Sequence, residues 1–160
     1  MKLDVLLENT AYGVRNVKAY AHETDAISEV EAYLKKNGNP FDIDGTTLDR
    51  LTRHVDEAQG DCLRWFSIHA SVPFSRKAYV YFKKTDGVLD TSSMKVSHTP
   101  SHFARELRSR LSKKAPRVLG IASESVLEMS DLEVAELCLL YNGAIERGDE
   151  YYLIEAPVHD

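Results

Sequence analysis

The chain has 160 residues, 43% of them hydrophobic and 28% charged, with a formal net charge of −5 at pH 7; these values fit one compact domain, 1–160, long enough to bury a core without staples. Its two cysteines, Cys62 and Cys138, stand outside any C-x-x-C, which excludes a disulfide framework and reads as two small apolar side chains in a reducing compartment. Charges inside Met1–Glu8 exclude a signal-peptide h-region and no apolar run approaches a membrane span, so a cytoplasmic chain with no membrane partner is expected.

Leu3–Glu8 alternates apolar and polar residues and reads as a strand. Val14–Ala21 reads as a second strand, and the intervening 9–13 turn makes a hairpin. Thr24 can cap a helix whose apolar residues, Ala26, Ile27, Val30 and Leu34, fall at helical spacing, ended by Asn37-Gly38 and Pro40. A second helix is expected from Thr46 or Thr47, with Leu48, Leu51 and Val55 as its stripe. Cys62–Val72 is the clearest strand. Phe66, Ile68, Ala70 and Val72 share the face expected to point inward, while Trp65, Ser67, His69 and Ser71 share the other. After the connection Pro73-Phe74-Ser75-Arg76, Lys77–Lys84 is expected to return as the second strand of a hairpin. Its core face is Ala78, Val80 and Phe82; Tyr79, Tyr81 and Lys83 lie opposite.

Asp86-Gly87 is a turn, and Val88–Val96 is expected to form a further strand. His98-Thr99-Pro100-Ser101 opens a helix lined inside by Phe103, Leu107 and Leu111 and stopped by Pro116; Val118–Ala122 then reads as a short strand. Ser130-Asp131-Leu132-Glu133 matches a capping box. The helix after it, 131–141, is apolar nearly all round, as a central buried helix or half of a homodimer contact would be. Asn142-Gly143 is expected to cap it, before a last strand from Glu150 to Ala156. Strands come in hairpins rather than alternating with helices. The expected fold is therefore α+β, a mostly antiparallel sheet with about four helices packed on it.

Charge is segregated along the chain. Residues 1–59 hold 7 Lys and Arg against 11 Asp and Glu, residues 60–120 hold 12 against 4, and residues 121–160 hold 1 against 10. The basic middle suggests an anionic partner. Helix 101–117 carries Arg105, Arg108, Arg110, Lys113, Lys114 and Arg117, and the sheet face expected to lie outward offers Trp65, His69, Tyr79 and Tyr81 beside Arg64, Lys77 and Lys83. Rings on a sheet beside cations suit single-stranded nucleic acid, because bases stack on the rings and phosphates pair with Lys and Arg. The bland alternative is that helices cover both sheet faces and the rings are core. The acidic end offers Glu124, Glu128, Asp131, Glu133 and Glu136 as a surface for a basic protein partner, unless it meets the protein's own basic middle.

Two motifs resemble enzyme sites. Ile68-His69-Ala70-Ser71-Val72 resembles one half of the two-histidine phosphoesterase signature, with His22-Glu23-Thr24 as its partner, although Glu23 stands where that family keeps an apolar residue. The resemblance implies a phosphodiesterase in which His22 and His69 exchange protons while Thr24 and Ser71 hold phosphate. Asp42-Ile43-Asp44-Gly45-Thr46 resembles the nucleophile loop of haloacid-dehalogenase phosphatases, but it follows a helix end instead of a strand and reads better as a helix-starting turn. His98 and His102 share a helix face, yet no further ligand stands near them in sequence, so no metal and no cofactor are expected. The expected function is that of a small non-catalytic interaction protein that binds a macromolecule, most simply another protein, and modulates or inhibits its activity. A nucleic-acid-binding module and the phosphodiesterase are the alternatives.

Overall fold

A computed structural model describes residues 2–10, 13–36, 62–69 and 76–159. The fold is α+β: the described residues form four helices and seven strands, and the strand pairing is mostly antiparallel. They fall into two compact units, Met1–Lys77 with Ala156–Asp160, and Ala78–Glu155. The expected helix near 46–55, the Asp42–Thr46 motif, the 73–75 connection and Ser71 lie outside the described residues.

In the first unit, β1 (Lys2–Thr10) pairs antiparallel with β2 (Gly13–Tyr20), as the hairpin reading expects. The register slips between Leu6 and Glu8, and Asn16 nearby takes φ 53°, a conformation that Asn tolerates better than most residues. On its other edge β1 pairs along Lys2–Asn9 with β3 (Cys62–His69). The expected hairpin between 62–72 and 77–84 is therefore a correction: β3 has β1 as its partner. The end of β7 (Asp149–His159) lies parallel to β2 at Ala19 and Tyr20. Helix α1 (Glu23–Lys36) carries Glu23 and Asp25 in its first turn and Lys35 and Lys36 in its last, each sign at the end the helix dipole favours. It packs Ala26 and Val30 against Leu6, Tyr20, Leu63 and Trp65. Thr24 lies inside the first turn of α1 rather than capping it.

The second unit holds β4 (Lys77–Thr85) from Ala78 onward, β5 (Val88–Leu89), β6 (Lys95–Ser97) and the first residues of β7. Asp86 and Gly87 both have positive φ, 50° and 80°, the backbone of the two-residue hairpin turn that Asp-Gly favours. The expected strand 88–96 is instead two short strands interrupted by a 3₁₀ turn, Thr91–Ser93, because the Asp90 carboxylate accepts the Ser92 N–H and fixes a turn there. Both short strands pair with β4. β7 runs opposite to β4, with Tyr79 beside Glu155, Phe82 stacked on Tyr152 and Thr85 bonded to Asp149.

Helices α2 (Ser101–Leu119), α3 (Ser123–Leu127) and α4 (Asp131–Ala144) cover one face of these strands. Phe103, Leu107, Leu111, Val126, Val134, Leu137 and Cys138 form one core with Tyr81, Tyr151 and Leu153. Pro116 does not stop α2, which runs three residues further to Leu119 and is capped by Gly120, at φ 68°. Proline lacks the N–H that the carbonyl of Ser112 would accept; the Ser123 hydroxyl donates to that carbonyl instead, at 2.7 Å. The expected strand 118–122 is thus the helix end and an extended link. The capping box of α4 is present: Ser130 accepts the Glu133 N–H and the Glu133 carboxylate accepts the Ser130 N–H. Asn142 does not end this helix. Its amide exchanges two hydrogen bonds with the Tyr151 backbone, 2.8 and 2.9 Å, and so ties α4 to β7.

Candidate functional site

Two of the rings expected on an outward sheet face, Trp65 and Tyr81, are buried. Trp65 is only 7% exposed and sits in the core of the first unit. Its burial has a chemical cause on the neighbouring strand. Asp4, also buried, stands across from Ser67, and its Oδ1 accepts the Trp65 indole N–H at 3.1 Å and the Ser67 hydroxyl at 2.6 Å. A buried indole and a buried carboxylate satisfy each other, which removes the usual penalty for hiding either. The inward face of β3 is therefore that of Leu63 and Trp65, while Phe66 and Ile68 are half-buried, the reverse of the expectation.

Tyr81, 4% exposed, stacks on Phe103 at 5.5 Å under α2, and burial pushes its phenol up to about 12. Tyr79 is half-buried and donates to Glu155. Lys83 lies 3.8 Å from both Asp90 and Asp149. Lys77 is exposed and Arg64 half-buried. Stacking needs free ring faces, and Trp65 and Tyr81 offer none.

His22 is exposed between β2 and α1, where its carbonyl accepts the N–H groups of Asp25 and Ala26 and so starts the helix. Thr24 is exposed, and its carbonyl accepts the Ser28 hydroxyl. His69 ends β3 opposite Lys2, its side chain outside the description, as is Ser71. Of the four groups of the phosphodiesterase reading, only the side chains of His22 and Thr24 are among the described residues. Among the described residues no group of three or more His, Cys, Asp or Glu side chains could hold a metal ion, and no helix is long and apolar enough to cross a membrane.

The basic helix divides by function. Arg108 reaches across to α4, donating to the Asp131 carboxylate at 2.8 Å and to the Met129 carbonyl. Arg110 pairs with Glu106 one turn away. Lys114 donates to the Tyr151 hydroxyl at 2.7 Å, and this bond holds its ammonium above the usual lysine range despite partial burial. Arg105, Lys113 and Arg117 are exposed and make no ion pair with another described residue.

The most unusual surface is on α4. One side of this helix, Val134, Leu137, Cys138 and Tyr141, is core. On the other side Leu132, Leu139 and Leu140 stand 71%, 57% and 64% exposed, which corrects the first of the two expectations, a central buried helix. Leu127, at the end of α3, is exposed too. Of the five acids expected on this surface, Asp131 is engaged by Arg108, whereas Glu124, Glu128, Glu133 and Glu136 are exposed. Glu136 lies one turn from each of the three leucines, at i+4 from Leu132, i−3 from Leu139 and i−4 from Leu140. The leucines were visible in the sequence, but a helix apolar nearly all round carries no moment to say which side faces out.

No protein-family model, curated protein or solved structure matches this chain.

Proposed function

We propose that this chain is a non-catalytic interaction protein that docks a protein partner on the outer face of α4 and thereby modulates it. The exposure of Leu132, Leu139 and Leu140 on one helix face carries this reading. Single exposed apolar residues are ordinary, but neighbouring ones on a rigid element with acids among them have the composition of a docking patch. The helix is well anchored by its capping box, by Asn142 and by the Arg108–Asp131 pair, so its outer face is presented pre-organised, which lowers the entropy lost on binding. The acids speed encounter with a basic partner.

The test compares the full chain with a Leu132→Ser, Leu139→Ser, Leu140→Ser variant in partner capture at low and moderate salt. A protein retained by the first and lost by the second, with both chains equally folded by circular dichroism, supports the reading. Identical capture by the two chains rejects this face.

A second reading rests on Arg105, Lys113 and Arg117, which lie along one exposed stripe of α2 and make no ion pair with another described residue. With Trp65 and Tyr81 buried, nucleic acid would meet this stripe mainly through phosphates, without sequence preference and with steep salt dependence. A mobility shift that survives substitution of all three by Gln rejects it.

A further inference from the structure

Resting on that docking reading, we propose that the occupant of the α4 face is a cationic amphipathic helix of another protein, with a Lys or Arg set among its apolar residues to meet Glu136. The juxtaposition that points to it is an exposed carboxylate inside a leucine patch. Leu132 and Leu139 are two turns apart on the outer face of α4, Leu140 flanks them, and Glu136 stands one turn from all three.

Any surface that covers these leucines also strips water from the Glu136 carboxylate. An ionised group taken out of water without a partner is costly. Among the described residues Glu136 has no hydrogen bond or ion pair that could compensate. The covering surface must bring the cation itself, and bring it between apolar side chains. A ridge of leucines repeating over two turns of a straight helix is matched by the groove of a second helix lying along it, the arrangement in which flanking charges choose the partner.

A second copy of this chain is a poor occupant. A two-fold contact would set this patch against itself, placing Glu133 and Glu136 of one copy against the same residues of the other. The stretch 121–160 offers Arg147 as its single cation, and that residue lies beyond the end of α4. The cations of α2 would satisfy the charge in a head-to-tail contact. Among the described residues, however, that helix exposes a single large apolar side chain, Val118, and would leave the leucines uncovered.

The experiment titrates the full chain, by calorimetry, with a synthetic amphipathic helix of Leu and Lys and with its counterpart of Leu and Glu. The proposal expects the Leu/Lys helix to bind at least about tenfold more tightly, Glu136→Gln to narrow the difference to within about threefold, and added salt to do the same. Leu139→Ser should weaken both peptides. Equal binding of the two peptides, unaffected by Glu136→Gln, overturns the cationic partner while leaving a docking face. Failure of the Leu/Lys helix to bind at about 100 μM overturns it as well. A concentration-dependent dimer in sedimentation that Leu139→Ser abolishes assigns the face to a second copy instead. The capture experiment with the triple serine variant decides the docking reading separately, because it does not depend on the charge of the partner.

Discussion

Helices α2 and α4 lie in the same unit and share one core, yet they treat their outer faces oppositely. Every leucine of α2 up to Leu111 is buried, and its outer stripe is charged. α4 buries Val134, Leu137, Cys138 and Tyr141 and still exposes three leucines with Glu136 among them. The inner face of α2 supplies its packing against the shared core. The inner face of α4 likewise satisfies the core, so its outer leucines contribute little to folding and are free for another use. An apolar residue is thus evidence of burial only on the face that the packing selects.

The largest test of this contrast is Leu111→Ala against Leu139→Ala. Leu111 is fully buried, so its truncation should cost about 2–5 kcal/mol, whereas Leu139→Ala should stay within about 0.5 kcal/mol. Urea unfolding midpoints measure both, and similar losses would break the contrast.

Alkaline pH should strike the shared inner face next. Burial holds the Tyr81 phenol and the Cys138 thiol at about 12, against ordinary values of 10.0 and 9.0. The folded state therefore keeps protons that the unfolded chain gives up. Stability is full below about pH 9 and is lost as pH rises toward 12. Tyr81→Phe should retain more of its stability at high pH, as thermal melts across that range would reveal.

Ser123→Ala should cost about 1–3 kcal/mol by orphaning the Ser112 carbonyl. The cost should shrink in a Pro116→Ala background, where the restored N–H can serve that carbonyl. A double-mutant cycle without coupling would separate the continuation of α2 from Ser123. The smallest effect is expected at the Arg108–Asp131 pair between the two helices. It is partly exposed, so its coupling should be about 0.5–1 kcal/mol and should fall with salt.

Local chemistry made much of this legible. The β1–β2 hairpin, the Asp-Gly turn and the Ser130–Glu133 capping box follow from interactions within a few residues, and all three are present. The readings that failed depend on groups distant in sequence. Pro116 reads as a helix stop until Ser123 supplies the missing donor. Trp65 reads as an outward ring until Asp4, on another strand, accepts its N–H. The candidate site divides in the same way: Glu124, Glu128, Glu133 and Glu136 are exposed as expected, while the aromatic platform and the leucine face depended on what each side chain packs against.

By itself the sequence determined the α+β class, the starts of several elements, much of the turn and cap chemistry, and the segregation of charge, because these arise from periodicity and from short-range hydrogen bonding. Tertiary structure alone decided that β3 joins β1, that Trp65 and Tyr81 are core, and that α4 turns three leucines to the outside. Alternating strands and an all-apolar helix offer two nearly equivalent faces, and only contact with the rest of the chain breaks that degeneracy.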